Sequence, residues 1–272
     1  MQYVVGCVPY VNAKPLVSQF EHLKELSPVK VLYQVPSKLP AMLDSGSAQA
    51  VLVSSFDALK TKGRTIAAGC SISTRGEAQS VRIFSKVPIE EIKTIALDNS
   101  SLTSIQLAQI ILIENYGVRA EATLIGPNQN AMLKQRDACV LIGDNGMTAD
   151  PDGLYVLDCG IEWRKLSNLP FVWAAWIGKK DMPEELAQLL LNAKEWGQEH
   201  LKLVADEAQR EVHWPGDSCK KYLTEIMNYD LTDEHMKGLK LFQELSLKHG
   251  FLKEKHFPSL VNPQSPAAAV AV

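Results

Sequence analysis

The sequence lacks the residue patterns on which most metal, nucleotide and nucleophilic sites are built. Its 272 residues contain no H-x-x-x-H or C-x-x-C pair, no G-x-S-x-G elbow, no P-loop and no G-x-G-x-x-G. The six histidines lie mostly in the C-terminal third, and an ordinary packed or surface role is the more typical one even for His213 in "EVHWPGD". We therefore expect neither a metal site nor a catalytic triad, and no cofactor.

The sequence also lacks an excess of charge of either sign. With 28 basic and 31 acidic residues the net charge is −3, and no basic stripe suggests a nucleic-acid partner. No apolar run approaches the length of a membrane span. The five cysteines are scattered, which favours buried thiols in a reducing compartment, and the chain enters a strand at once without a leader-like segment. These features predict a cytoplasmic protein with no membrane partner and leave its oligomeric state open.

Short apolar strands alternate with helical patterns over the first ninety residues, and the alternation restarts at "IKTIALD". This rhythm predicts an α/β fold with sheets covered by helices. After "FVWAAWIGKK" only helical patterns follow. We expect the chain to cross between two lobes near residues 87 and 169. Residues 1–87 and 170–256 then form the first lobe, 88–169 the second, and 257–272 a flexible tail of loop composition.

Polar residues mark the junctions where the predicted strands end. Ligands of open α/β sheets bind outside the carboxyl ends of the strands, and hydroxyls, amides and helix N-termini there can hold an anion. The sequence thus predicts a site for a small ligand that carries carboxylates. The junctions and the segment ahead of "VRIFS" supply Asn12, Ser54, Ser55, Ser80, Asn99, Ser100, Ser101, Thr103, Ser104 and Asp144.

Each of these residues also has a purely structural interpretation. Serine, threonine, asparagine and aspartate are the preferred helix N-caps, and a cap contributes about 1 kcal/mol to stability. A simple cap is the more common role for Ser100 or Ser101, whereas Ser54 and Ser55 together exceed what one cap needs. Asp144 in "GDNG" has the context of a turn residue. The functional interpretation depends on convergence, because four junctions would meet only if two lobes face each other.

Six segments in a fixed order resemble one family over residues 3 to 250. They are "VGCVPYVNAKPL", "SISTRGEAQSVRIFSK", "LDNSSLTSIQLAQIIL", "DACVLIGDNGM", "LDCGIEWRKLSNLPFVWAAW" and "YLTEIMNYDLTDEHMKGLKLFQEL". The ordered set resembles the MqnA family, the chorismate dehydratases of the futalosine route to menaquinone. The resemblance implies a two-lobed, type II periplasmic-binding-protein-like α/β fold with a ligand cleft between the lobes. It also implies a lyase that removes water from chorismate to give 3-(1-carboxyvinyloxy)benzoate.

The resemblance implies roles for individual residues. Asn12, Ser80 and Asp144 match the family motifs and are expected to be catalytic. The residues expected to bind substrate are Ser54, Ser55, Ser101, Thr103 and Ser104. The base that takes the ring proton is either Asp144 or the enolpyruvyl carboxylate of the substrate itself. The alternative is a non-enzymatic carboxylate-binding protein, a solute-binding protein or a sensor, because fold alone does not fix function.

Overall fold

The computed structural model describes residues 2–98, 100–212 and 214–264, so Asn99, His213 and the end of the expected tail lie outside the described residues. The described strands are β1 (Tyr3–Cys7), β2 (Val29–Tyr33), β3 (Ala50–Ser54), β4 (Arg64–Thr74), β5 (Val81–Ser85), β6 (Thr94–Asp98), β7 (Glu121–Ile125), β8 (Ala138–Ile142), β9 (Tyr155–Asp158), β10 (Phe171–Lys179) and β11 (Ser259–Val261).

The α-helices are α1 (Ser18–Leu23), α2 (Leu39–Asp44), α3 (Ser55–Lys60), α4 (Leu102–Tyr116), α5 (Gln129–Gln135), α6 (Gly143–Thr148), α7 (Cys159–Ser167), α8 (Glu184–Glu199), α9 (Leu201–Glu211), α10 (Ser218–Lys221) and α11 (Asp233–Lys248). Short 3-10 turns cover Val11–Leu16, Lys24–Leu26, Pro36–Lys38 and Ile89–Glu91, and a π-helical turn covers Tyr222–Ile226. None of the described helices has the length and apolarity needed to cross a bilayer.

The first sheet has the strand order β11-β4-β10-β3-β1-β2. Strands β1, β2 and β3 are parallel, and β10 runs antiparallel between β3 and β4. The apolar run of β3 is buried almost throughout, as expected for a central strand covered by helices on both faces.

The second sheet has the order β7-β6-β8-β5-β9. Strand β6 is parallel to β7 and β8, whereas β5 runs antiparallel to β8 and β9. The sequence analysis assigned Val81–Ser85 to the first lobe, but this strand belongs to the second sheet. Burial pattern alone cannot say which sheet a short apolar strand joins, and here its pairing with Ala138–Ile142 decides. The chain therefore leaves the first sheet between residues 74 and 81, and it returns between 167 and 171.

The expected tail also differs over its described part. Ser259–Val261 adds to the edge of the first sheet as β11, parallel to β4, with Leu260 opposite Ile66. The composition around this strand, which includes Pro258 and Pro263, is typical of a loop and does not indicate that three residues pair with the long strand β4. The first helical pattern after "FVWAAWIGKK" forms two helices, α8 and α9, which meet at His200.

Two glycines let helices approach the segments that later form the site. A Cβ at Gly197 in α8 would lie 1.9 Å from the carbonyl oxygen of Pro15. A Cβ at Gly146 in α6 would lie 2.3 Å from the carbonyl oxygen of Ser80. Neither position can accept a side chain without moving the backbone beside it, so the two helices fix those segments by direct backbone contact.

A buried histidine ties the C-terminal helices to the first sheet. The Nδ1 atom of His235 accepts from the backbone N–H of Thr232 at 3.2 Å, so its Nε2–H donates to Asn228 Oδ1 at 3.0 Å. Asn228 in turn pairs with Ser73 of β4. Burial, with a smaller contribution from Arg75, lowers the pKa of His235 from 6.5 to about 4, against the opposing effect of Asp230 and Glu234.

The lowered pKa predicts a specific loss of stability in mild acid. Below pH 6.5 His235 is protonated in the unfolded chain, whereas in the folded protein it stays neutral until about pH 4. The free energy of unfolding should therefore fall between these pH values, by about 3 kcal/mol from this residue. Urea titrations of His235→Gln should lack that part of the pH dependence, whereas the exposed control His200→Gln should keep it. Equal pH slopes in the wild type and His235→Gln would contradict the assignment.

Candidate active site

A cavity of about 480 Å³ lies where the carboxyl ends of strands from both sheets meet. Val8 after β1 and Ser54 of β3 come from the first sheet, and Ser101 after β6 and Gly143 after β8 come from the second. The strand-end rule applied to the sequence therefore leads to this place. The uncharged polar residues that line the cavity include Tyr10, Asn12, Ser54, Ser80, Ser100, Ser101, Ser104 and Tyr222.

Asn12 and Ser80 meet at a residue that the sequence analysis did not single out. Asn12 Nδ2 donates to the phenol oxygen of Tyr222 at 3.2 Å, and Ser80 Oγ lies 2.9 Å from the same oxygen. Tyr222 and Ser80 are buried, and all three residues line the cavity. Burial raises the pKa of Tyr222 to about 12, so the phenol keeps its proton at neutral pH. Asn12 Oδ1 is buried and accepts no hydrogen bond from the described part of the chain.

Asn12 and Ser80 are held by the backbone around them. Asn12 lies in the 3-10 turn that follows β1 and packs on α8. Ser80 ends the link between the two sheets, where Asp158 accepts from the backbone N–H groups of Ala78 at 2.9 Å and Gln79 at 2.7 Å. Asp158 is also the N-cap of α7. The carboxylate thus fixes the link in front of Ser80, a role that its sequence context did not indicate.

Thr103 connects α4 to the end of β3 and the start of α3 by several hydrogen bonds. Its hydroxyl bonds to Ser54 Oγ, accepts from the backbone N–H of Phe56 at 3.2 Å and lies 3.4 Å from Ser55 Oγ. The backbone N–H of Thr103 donates to Ser54 Oγ at 3.0 Å, and Ser55 donates to the carbonyl of Val172. Of these hydroxyls Ser54 lines the cavity, whereas Ser55 and Thr103 lie behind its wall.

The N-terminus of α4 adds a cap and a dipole to the cavity wall. Ser101 caps the helix by accepting from the backbone N–H of Ser104 at 3.3 Å, and the two hydroxyls lie 3.0 Å apart. The structural role expected for Ser101 is therefore present, and Ser101 and Ser104 line the cavity as well. A 15-residue helix presents partial positive charge at this end, which favours a carboxylate.

Asp144 lies beside the cavity but does not line it. It is the second residue of α6 and is exposed, while Gly143, which begins the helix, forms part of the wall. Loss of solvent around its carboxylate raises the pKa of Asp144, and the indole of Trp214 opposes the rise. Of the three residues expected to be catalytic, the structure brings Asn12 and Ser80 to one point. Asp144 does not line the cavity, but its charge is close enough to Tyr222 to help raise the pKa of that phenol.

The cavity lining also includes charged side chains. Arg64 is buried, with Nη1 at 2.8 Å from Asp44 Oδ1 and Nε at 3.4 Å from Asp57 Oδ2. Burial raises the pKa of Asp57, while Arg64 opposes the rise. Lys60 also lines the cavity but is exposed. Within residues 2–98, 100–212 and 214–264, no three His, Cys, Asp or Glu side chains form a group that could hold a metal ion.

Comparison with known proteins supplies a family and a fold. The profile of a family described as menaquinone biosynthesis matches residues 3–247. A curated chorismate dehydratase of Thermus thermophilus is 30% identical over 263 residues, which cover 89% of this chain and 94% of that protein.

Solved structures agree on the architecture. Protein AF1704 of Archaeoglobus fulgidus has a TM-score of 0.71 with this chain at 16% identity, covering 92% of this chain and 98% of that one. The periplasmic aliphatic sulphonate binding protein SsuA of Escherichia coli has a TM-score of 0.67 at 13% identity, covering 99% and 96%. At such identities these likenesses establish the fold alone. They confirm the periplasmic-binding-protein-like fold that the sequence resemblance implied.

The position of Thr103 predicts a role in stability. Thr103→Val keeps the shape of the side chain but removes the hydroxyl that accepts from Phe56 and bonds to Ser54. Leaving these buried groups unpaired should lower the free energy of unfolding by about 1–3 kcal/mol. The control Thr224→Val removes an exposed hydroxyl that donates to the carbonyl of Lys220, and it should change stability by less than about 0.5 kcal/mol. Equal losses in urea titrations of the two variants would contradict the role.

Proposed function

The chain belongs to the menaquinone biosynthesis family, and from that premise we propose that it is a chorismate dehydratase. It eliminates water from chorismate to give 3-(1-carboxyvinyloxy)benzoate, as a hydro-lyase that uses no cofactor. The identity of 30% with the dehydratase of Thermus thermophilus supports the assignment. The observation that carries it is the meeting of Asn12 and Ser80 at one buried phenol, on a cavity wall of uncharged hydrogen-bonding groups.

The reaction needs little from the protein in acid or base strength. Chorismate carries a carboxylate conjugated to its ring diene, so the electron pair left by the C3 proton delocalises towards that carboxylate. That pair then expels the neighbouring hydroxyl, which leaves with the removed proton as water. The ring becomes aromatic, which supplies the driving force. The protein must hold the dianion, hydrogen-bond the developing charge and exclude water.

The uncharged polar groups of the cavity lining suit these tasks. Ser54, Ser101 and Ser104 lie beside the N-terminus of α4, where a carboxylate meets hydroxyls and a helix dipole. Asn12 and Ser80 line the same cavity. We propose that the two sheets with their helices are lobes, approximately residues 2–74 with 171–264 and residues 81–167. Their closure would exclude water before the elimination.

We assign proton removal to the enolpyruvyl carboxylate of the substrate. Asp144, the other candidate, is exposed and absent from the cavity wall. The carboxylates that line the cavity in the described structure, Asp44 and Asp57, are paired with Arg64. A substrate group that already lies in the site needs no such residue.

The proposal predicts that Asn12→Ala loses turnover rather than folding. Purified protein incubated with chorismate should release an aromatic product lighter by one water, followed by mass spectrometry. Removing a group that hydrogen-bonds the reacting centre typically costs about 100-fold or more in kcat, and we expect at least that for Asn12→Ala. Asn192→Ala, a substitution on the exposed face of α8, is the matched control and should keep full activity.

The results separate the two functions considered. Saturable thermal stabilisation by chorismate without any product would identify a binding protein and overturn the dehydratase assignment. Full turnover by Asn12→Ala would remove Asn12 from the mechanism while leaving the activity in place.

Asp144→Asn tests the assignment of the base. If the substrate carboxylate takes the proton, this variant should keep kcat within about 3-fold and the wild-type acid limb of the pH profile. If Asp144 were the base, its raised pKa would make the rate fall with decreasing pH from above the usual value of about 4. That limb would disappear in Asp144→Asn together with most of the activity, and this result would reverse the assignment.

A further inference from the structure

Tyr222 is the one buried side chain that hydrogen-bonds both Asn12 and Ser80 among the described residues. It lies 210 residues after the first and 142 after the second, so only the tertiary fold brings the three together. It begins the π-helical turn Tyr222–Ile226, a local widening of a helix that is common at functional sites. Trp214 packs edge-on against its ring with centroids 5.3 Å apart and helps to hold the phenol in place.

Asn12, Tyr222 and Ser80 form a chain of hydrogen bonds, and the hydrogen-bond capacities of the three groups fix its direction. A phenol oxygen carries one proton, and here it accepts from Asn12 Nδ2. Ser80 Oγ is the other partner within reach, so the phenol proton is paired only if it is donated to that oxygen. The hydroxyl proton of Ser80 is then free for a ligand. At the other end, the buried Asn12 Oδ1 accepts nothing from the described residues and is free as an acceptor.

The hydrogen-bonding states of Asn12 and Ser80, at the two ends of this chain of hydrogen bonds, are therefore coupled. Asn12 offers an acceptor only while Tyr222 accepts from its amide nitrogen, and Ser80 offers a donor only while Tyr222 donates to it. If the amide turned over, Tyr222 would donate to Oδ1 and accept from Ser80, so both ends would reverse together. The phenol couples the orientation of the Asn12 amide to that of the Ser80 hydroxyl, because Asn12 and Ser80 share no hydrogen bond with each other in the described structure.

We propose that Tyr222 is a positioning residue that sets the hydrogen-bond direction of Asn12 and Ser80, so that Asn12 accepts from a ligand hydroxyl and Ser80 donates to a ligand carboxylate. This inference rests on the proposed function. The substrate named there carries one ring hydroxyl and two carboxylates, which complement one acceptor and one donor. A held hydroxyl keeps the breaking C–O bond aligned with the neighbouring π-system, which is the orientation that elimination requires.

Tyr222→Phe tests the proposal because it removes only the phenol oxygen. Misplacement of a group at a reacting centre can cost about 100-fold, and we expect kcat to fall by about 10- to 100-fold while KM changes less than about 3-fold. Tyr229→Phe is the matched control. Tyr229 is equally buried, but its hydroxyl has no hydrogen-bond partner in the described structure, so kcat should stay at the wild-type value. Equal kcat values for the two variants would overturn the proposal.

A background that lacks both partners separates positioning from a direct role of the phenol. If Tyr222 acts through Asn12 and Ser80, adding Tyr222→Phe to the Asn12→Ala/Ser80→Ala double variant should change the residual kcat less than about 3-fold. A further loss as large as that of Tyr222→Phe alone would overturn the positioning role.

A second measurement needs neither substrate nor a Tyr222 variant. Asn12→Ala and Ser80→Ala each leave the buried phenol one partner, whereas the double variant leaves it none. In ligand-free protein the fall in Tm of the double variant should therefore exceed the sum of the single shifts. Simple additivity of the Tm shifts would show that Tyr222 does not bridge Asn12 and Ser80 by hydrogen bonds. If the wild type failed to turn over chorismate, the proposed function would be wrong. The Tm measurements would still test whether Tyr222 bridges Asn12 and Ser80.

Discussion

The hydroxyl of Thr103 is the contact on which the position of the cavity depends, because it binds the first sheet to the helix that follows β6. Ser54 bonds to this hydroxyl and also lines the cavity, so a contact that joins the two parts of the molecule also places a cavity-lining group. The groups involved are hydroxyls and backbone N–H groups. A buried ion pair at this point would carry a desolvation cost that neutral hydrogen bonds avoid, and the wall can therefore be buried and still uncharged.

Close packing of helices fixes the segments that carry Asn12 and Ser80. Neither residue belongs to a strand or a long helix, and irregular segments move unless something holds them. Gly197 and Gly146 let α8 and α6 press on the carbonyls of Pro15 and Ser80 directly, and Asp158 holds the link before Ser80. Packing of the outer helices is thereby coupled to the geometry of the site, although none of these three residues faces the ligand.

The sequence predicted the elements of the site that depend on local pattern and missed those that depend on tertiary contact. A strand end followed by a polar residue is visible in the sequence, which is why Asn12, Ser54 and Ser101 could be found. Tyr222 sits in a stretch that reads as an ordinary amphipathic helix, and only folding carries it to the cavity. The assignment of β5 failed for a related reason, because its partner strand lies more than fifty residues further along the chain.

Charge placement explains how a scaffold shared with binding proteins can serve an elimination. A free cation beside the substrate would pair with its carboxylates and lower their basicity. Among the described residues that line this cavity the buried cation is Arg64, and Asp44 and Asp57 pair with its charge. The described side chains that meet at Tyr222 are neutral donors and acceptors, which orient a carboxylate without taking away its capacity to accept a proton. On the proposed mechanism the substrate can therefore act as its own base, and the protein contributes position rather than proton affinity.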